Sequence, residues 1–485
     1  MRRFIFFALT LALSLLPIAA SAQEERFDLT AHLAEGDRAL DAHEVVRLAV
    51  EHSPRVEITR MSIAAAEAGV RRATAALIPR LDLTARYAHI DGFPDGRIGA
   101  ADPAAIDAAR TIAMSVTDPA ARTLFLGTIE AQAAGSTIRI PRDQFGFAAR
   151  LTVPLSDILF AVLPALHGAE ARVRAEELRA DGAQRDVELS ALEAYYRYAE
   201  ARGVQAVATE ARDRVAERLA MVTALLEGGV LTPPDRIAVE AALAHANETV
   251  ARADGAVALS RVALALAIGD TGRDAIAVDS ALVSLGGPEG SIEELERRAL
   301  DERPELLALT EAIRAQREGR TATEAGGYPH LGVYVGGDIS NPSARIIPPR
   351  DEFIPVWEVG AVLTWAPNDL ATAIFAAEEI DAQIARAEAE RLLIEDAVRL
   401  ELRQAFETRG SARIAVSSAE ESLRSAEAAY EARRAQLGAG ETVLDELESA
   451  DLRVTEARLS LLRSQLELVV AEARLRHAVG TSLVD

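Results

Sequence analysis

The chain has 485 residues, a formal net charge of −23, 49% hydrophobic and only 4% aromatic residues, no cysteine and not one lysine. So acidic a chain is a poor partner for nucleic acid, and the missing residues exclude disulfides, thiolate metal sites, the phosphate-loop lysine and Schiff-base chemistry. Its abundance of Ala, Leu, Glu and Arg is the composition of long packed helices.

From the N-terminus, Arg2 and Arg3 precede an apolar run, Phe4 to Leu16, followed by Pro17 and the small-residue site Ala20-Ser21-Ala22. This pattern predicts a secretory signal over residues 1–22, cleaved before Gln23, because the run is well short of the roughly 20 residues that span a bilayer. Loss of Arg2 and Arg3 takes the charge to −25, and without a cysteine at the cleavage site the exported chain is not lipidated. No later run is apolar for the length of a membrane helix, so a membrane role must use strands.

The mature chain is a duplication. Pro54 and Pro79 recur as Pro304 and Pro329, and Gly69 recurs as Gly319, all at an offset of 250. Such a repeat implies a pseudo-symmetric architecture. The expected organisation is a first repeat over 23–269, a connecting segment over 270–290 and a second repeat over 291–485.

In the first repeat, residues 41–76 read as helix broken at Ser53-Pro54, since proline denies its predecessor the helical conformation. The period then changes to two: Leu81, Leu83, Ala85 and Tyr87 alternate with Asp82, Thr84 and Arg86 in a strand near 80–90. A partner strand near 145–155 sets Phe145, Phe147, Ala149, Leu151, Val153 and Leu155 against Gly146, Ala148, Arg150 and Thr152. The second repeat gives a helix over 291–327 broken at Arg303-Pro304, then strands near 331–337 and 356–365. Each of the first pair has the length of a tilted transmembrane strand. Trp357 and Trp365, the only tryptophans, share an apolar face roughly 26 Å apart along the strand, close to the height of an aromatic-rimmed membrane band. With Tyr87 they are the candidate membrane girdle. A small soluble sheet with one buried face alternates in the same way, but secretion, inward arginines and the helices that follow favour the membrane. Four strands cannot close a barrel and an open edge cannot sit in lipid, so several chains must share one.

Two helix pairs follow the strands, over 159–268 and 370–479. Their first members, Leu159 to Glu227 and Leu370 to Leu437, would each be about 100 Å long at 1.5 Å per residue. Leu459, Leu462, Leu466, Val469 and Ala473 step by 3, 4, 3 and 4, as do Leu189, Leu192, Tyr196, Ala199 and Gly203 with their own phase, which is coiled-coil spacing. The Ala-rich flanks would admit a second contact face, as a tube of helices needs; a simple antiparallel hairpin with a solvated outer face is the alternative.

The turns inside the pairs read Gly228-Gly229-Val230-Leu231-Thr232-Pro233-Pro234-Asp235 and Gly438-Ala439-Gly440-Glu441-Thr442-Val443-Leu444-Asp445. Gly ends one helix, Thr caps the next, and Asp three residues later suits the helix dipole. Capping alone suffices to explain each residue singly.

This order of parts resembles the TolC family of outer-membrane efflux and secretion ducts over essentially all of the mature sequence. The resemblance rests on the duplicated helix, hairpin and helix-pair order, on the run from Leu437 through Asp445-Glu446-Leu447-Glu448, similar to the family's second periplasmic turn, and on the ending Ala478-Val479-Gly480. It implies a mainly α protein with membrane β: long coiled-coil hairpins forming an α-barrel, and four strands per chain of a 12-strand β-barrel shared by a homotrimer. It further implies an outer-membrane location with a periplasmic tunnel, and a role as exit duct of a tripartite efflux or type I secretion system. The partners so implied are a periplasmic adaptor, also called a membrane fusion protein, and an inner-membrane pump.

By the same resemblance Gly228, Gly229, Val230, Leu231, Thr232, Gly438, Gly440 and Thr442 form the adaptor-docking tips, and Asp445 and Glu448 match acidic positions that ring the tunnel constriction. Some members carry an arginine before the turn threonine that bridges to the other turn. Here that position is Glu441, facing Asp235 and Arg236, so Arg236 is the basic candidate for a different lock.

The segment from Asp91 to Gln144 is about 40 residues longer than its counterpart between Ile339 and Glu352. It is expected on the outside, where barrel loops are long, as a short helix or an irregular segment, with a plug, a receptor site or a neutral insertion all open. No enzyme or cofactor is expected: the eight histidines are scattered, His43-Glu44 lacks the second histidine of a zinc-protease helix, and no nucleophile elbow or phosphate loop is present. A periplasmic adaptor or a structural coiled coil of the envelope is the alternative, although an adaptor would carry one hairpin rather than two.

Overall fold

The computed structural model describes residues 38–92, 96–98, 102–134, 136–138, 141–228, 232–269, 276–278, 286–346, 350–438 and 444–483. The expected signal and most of the adjoining linker lie outside them. The elements in chain order are β1 Arg38–Leu40, α1 Ala42–His52, α2 Pro54–Ala75, β2 Arg80–His89, β3 Gly96–Ile98, α3 Pro103–Met114, α4 Pro119–Ala134, β4 Ser136–Ile138, β5 Asp143–Pro154, α5 Leu163–Glu227, α6 Pro233–Ala267, β6 Ile276–Val278, α7 Ile292–Glu302, α8 Pro304–Glu324, β7 His330–Asn341, β8 Ile354–Thr364, α9 Pro367–Gly438 and α10 Leu444–Val479. The protein is thus mainly helical with one four-stranded antiparallel sheet. It divides into two compact units, Glu57–Gly182 with Leu300–Val398, and the chain up to Val56 with Ala183–Ala299 and Arg399–Asp485.

The prolines act as expected. Ser53 and Arg303 are both extended, with ψ of 120° and 125°, and each separates two helices by a single residue. Asp41 caps α1 by accepting from the Glu44 amide at 2.6 Å.

In the first unit the strands lie in the order β2-β5-β7-β8, every neighbour antiparallel. Side-chain alternation gives the sheet one coherent apolar face, and it is bare: Leu83 is 73% and Trp357 78% exposed. Strand β7 runs to Asn341 rather than stopping at Gly337, because Asp338 and Ser340 continue the polar face while Ile339 continues the apolar one. Strand β8 stops at Thr364, and the Trp365 indole N–H instead donates to the Gly327 carbonyl at 3.2 Å.

A second difference lies where β5 passes into helix. A straight helix from Leu159 is predicted, yet a single turn at Leu155–Asp157 and a π-helical turn at Ile158–Val162 come first. Residues here are drawn toward β7: Ser156 Oγ accepts from the Leu331 amide at 2.7 Å, Asp157 meets His330 Nδ1 at 2.5 Å, and Phe160 lies edge-on to Tyr328. The extra residue of a π turn accommodates these contacts without breaking the helix. Helices α5 and α8 approach closely at Gly168, where a Cβ would lie 3.1 Å from the Ala315 carbonyl, and Arg174 pairs with Glu311 at 2.9 Å.

The insertion between β2 and β5 is not one short helix but a helical hairpin. Ile106 and Ala113 of α3 pack on Ile129 of α4, and Arg122 donates twice to the Val116 carbonyl at the turn, at 3.1 and 2.9 Å. Strands β3 and β4 pair antiparallel below it in sequence.

In the second unit β1 runs parallel to β6, and the Tyr195 hydroxyl donates to the Leu40 carbonyl at 3.0 Å. The core joins Val45, Val46, Leu192, Tyr198, Leu264, Leu462, Leu466 and Leu483. Both predicted seams enter it: Leu192, Tyr196, Ala199, Leu462, Leu466, Val469 and Ala473 are buried, and only the terminal Leu189 and Leu459 stay half-buried. Gly203 completes the seam for a steric reason, since a Cβ there would fall 2.3 Å from Leu462 Cδ2. Gly203→Ala should therefore lower stability by about 1–3 kcal/mol through overpacking, and should cost less when introduced into a Leu462→Ala background, where the methyl has room. Thermal unfolding of the detergent-solubilised variants checks both.

Candidate functional site

The polar face of the sheet is a built surface. Row by row, Asp82, Arg150, Gly336 and Glu358 lie abreast across the four strands. Arg150 donates to Glu358 Oε1 at 3.0 Å, while Arg345, returning from the β7–β8 loop, donates to Oε2 at 2.7 Å. The Arg150 guanidinium also stacks 4.3 Å above the Tyr334 ring. That ring lies so close over Gly360 that a Cβ there would come within 2.8 Å of it. The charges are solvated and paired across strands, which suits a wall facing water rather than a protein core.

On the apolar face the girdle residues differ in setting. Trp357 stands free in β8, Trp365 lies just past the strand, and Tyr87 donates to Asp143 Oδ1 at 3.0 Å with its ring 5.1 Å from Phe145. An apolar body with a hydrogen-bonded tip is what an interfacial tyrosine presents.

At the ends of the helix pairs, Thr232 is the extended N-cap of α6, with Pro233 in the first turn. Asp235 accepts from the Thr232 hydroxyl at 2.6 Å and from its amide at 2.8 Å. Those two bonds hold the Asp235 carboxyl below the usual carboxylate range. Arg236 pairs with Glu240 on its own helix at 3.5 Å. The structure therefore gives both of these candidate lock residues a local partner within α6.

Glu448 is not an isolated acid either. Arg218 of α5 reaches it at 3.1 Å and Asp451 at 3.7 Å, and Arg214 reaches Asp451 at 3.2 Å and the Thr455 hydroxyl at 2.7 Å. Arg458 adds Glu210 at 3.3 Å and Glu427 of α9 at 3.6 Å, and Arg433 meets Glu446 at 2.7 Å. Arg218 and Asp451 are each only 15% exposed at the side chain. Arg214, Arg218 and Asp451 escaped the sequence analysis, because the α10 seam, stepped back from Leu459 by 4, 3 and 4, lands on Thr455, Leu452 and Glu448, whereas Leu452 is exposed and the buried face there runs through Ala450, Val454 and Ala457. Of the other tip candidates, Gly228 ends α5 with its amide on the Ala224 carbonyl at 3.0 Å. Gly438 and Asp445 fall in the end turns of α9 and α10, and Gly229, Val230, Leu231, Gly440, Glu441 and Thr442 lie outside the described residues.

Removing Arg218 leaves two half-buried carboxylates side by side, so Arg218→Ala should cost about 1 kcal/mol or more, and clearly more than Arg236→Ala; a double-mutant cycle with Glu448→Gln measures the coupling. Because the folded Asp235 pKa is lowered, its capping contribution is complete above the ordinary carboxylate range and is lost as pH falls through the lowered value. Smaller amide protection factors in the first turn of α6 as the pH is lowered, with intrinsic exchange rates divided out, and no such pH dependence in Asp235→Asn, check this.

No family model and no curated protein matches the sequence. Solved structures do. CusC, described in connection with folding and transmembrane channel formation, superposes with a TM-score of 0.69 at 15% identity over 91% of this chain and 92% of its own. The CmeC outer membrane channel of Campylobacter jejuni gives 0.66 at 14% identity, covering 90% and 85%. The open MtrE outer membrane channel of Neisseria gonorrhoeae gives 0.62 at 15% identity, covering 91% and 89%. These proteins are channels, not enzymes. At such identities the likeness concerns the fold, and the chain has the fold of these channels.

Proposed function

We propose that the chain is one protomer of a homotrimeric outer-membrane exit duct, which receives substrates from an inner-membrane pump through a periplasmic adaptor and passes them outside. The observation that carries this reading is the four-stranded sheet, with a bare apolar face, a charged polar face and two unpaired edges. In lipid, each unpaired backbone group costs several kcal/mol, so such a sheet must be closed by further copies. Three copies make a 12-strand barrel whose polar face lines the lumen. Channel descriptions of CmeC and MtrE support the same use here.

On this reading the ends of the helix pairs, Gly228 to Thr232 together with Gly438, Gly440 and Thr442, dock the adaptor. Asp445 and Glu441, brought together in triplicate, form the acidic constriction and favour cations. Glu448 belongs to the clasp with Arg218 that keeps α5 against α10, in the place where Arg236 alone would serve poorly because Glu240 engages it.

The test is fractionation with unheated gel electrophoresis, followed by single-channel recording from the purified protein. An outer-membrane oligomer that conducts supports the duct, whereas a soluble or inner-membrane chain refutes it. Arg218→Ala should raise conductance, Asp445→Ala should lower cation selectivity, and Arg236→Ala should do little.

A further inference from the structure

The two repeats share more than their order, and the shared register reaches across the edge of the sheet. His330 follows Pro329 as Arg80 follows Pro79. On the partner strands Ala149-Arg150-Leu151-Thr152 matches Ala361-Val362-Leu363-Thr364. The hairpin registers agree with this alignment, because Arg80 faces Thr152 and His330 faces Thr364. Each repeat is therefore the same two-stranded unit.

Within the chain the first hairpin, β2 with β5, joins the second, β7 with β8, through β5 and β7, with Leu151 opposite Val335, Thr152 opposite Tyr334 and Ala149 opposite Gly337. The straight row through Arg80 crosses β7 at Tyr334, four residues past the counterpart His330. One unit is thus staggered against the next by four residues. The strand ends step in the same sense across the sheet.

We propose that the seam between copies repeats this internal joint, so that β8 of one copy pairs with β2 of the next in the β5·β7 register. Leu363 then faces Ala85, Ala361 faces Tyr87, Trp365 faces Leu83 and Thr364 faces Thr84. The side chains fit this register: on the lipid face Leu363 meets Ala85 and Tyr87 meets Ala361, a large residue against a small one in each case, Trp365 meets Leu83 as an apolar pair, and on the lumen face two threonines meet, a favoured cross-strand pair. A seam continuing the flat rows would instead set Glu358 against Asp82, two like charges directly opposite. The inference rests on the duct reading and supplies what that reading leaves open, the register of the partner copy.

The register has a consequence for the pore. Four residues of stagger for every two strands, at about 3.4 Å per residue and 4.8 Å between strands, give a tilt of about 55°. A 12-strand barrel at that tilt has a backbone radius of about 16 Å, against roughly 12 Å at the 40° of ordinary barrels. The lumen is then too wide for side chains to fill and stays a water path.

The native chain has no cysteine, so cross-linking reads the register directly. Ala85→Cys is combined in turn with Leu363→Cys, Val359→Cys and Pro355→Cys in the full-length protein, and membranes are oxidised and run on non-reducing gels. Opposed positions lie within disulfide reach, whereas a slip of four residues adds about 13 Å and places the thiols beyond it. Covalent oligomers with Leu363→Cys, and loss of them with the other two, support the proposal. Preferential cross-linking to Val359→Cys or Pro355→Cys overturns it, as does the absence of any covalent oligomer while unheated gels still show an assembled protein. A native chain that runs as a monomer from the outset overturns the duct reading itself.

Discussion

A sheet that buries neither its apolar face nor its edges is the constraint on which the rest of this structure depends. Among the described residues, strands β2 and β8 each present a row of backbone donors and acceptors with no partner strand, and the face between them is hydrocarbon-like. In water the face is unfavourable, and in lipid the edges are. Lateral closure with like sheets, as in the proposed duct, satisfies both, and such closure would make the opposite, charged face the wall of an aqueous lumen. The pairing of Arg150 and Arg345 on Glu358 then has a purpose. It holds a short loop against the polar face and shares one carboxylate between two guanidiniums.

The helical unit applies a related economy along its length. Near its core the α5 and α10 seam is apolar, with Leu192, Tyr196, Leu462 and Leu466 excluded from water. Toward the turns the buried residues become small, as Ala206, Ala450, Val454 and Ala457, and beside them lie Glu210, Thr455 and Glu448, over which arginines close. An apolar seam has no preferred alternative, because separating it exposes hydrocarbon. An ionic seam is different: its charges are rehydrated on opening, so the cost is moderate and depends on salt. Stiffness where the helices must stay packed and a lower opening cost near their ends follow from one change of residue type.

What was legible in the sequence follows from the range of the interactions. The alternation in β2, β5, β7 and β8, the breaks before Pro54 and Pro304 and the 3-4 seams depend on the chain within a few residues, and each left a periodic trace. Features that depend on a distant partner left little. The π turn at Ile158–Val162 answers to His330, Leu331 and Tyr328. The hairpin of α3 and α4 is stabilised by three small apolar contacts and one arginine, too few to give a strong period. Arg218 looked like any surface arginine until α10 placed two carboxylates beside it. Thr232, Asp235 and Arg236 show the converse: their local capping chemistry was readable, and that chemistry is what occupies them.

The duplication explains both the economy of the design and where it was abandoned. Backbone register is preserved between repeats, and in the proposed ring any drift would spoil closure at every joint. Side chains on the lumen face are under no such demand. The counterpart of Arg150 is Val362 and that of Glu358 is Gly146. Thr84 corresponds to Tyr334, and the long α3–α4 insertion has only a short loop opposite it. The charged, aromatic part of the wall therefore occurs once per chain rather than once per repeat, over the strands from β5 to β8. In the proposed trimer, a ring of six similar hairpins would thus carry this charged stripe three times, alternating with a plainer one around the circumference. Selectivity in such a pore is set by the positions at which the two repeats have diverged, because those in which they agree are committed to holding the barrel closed.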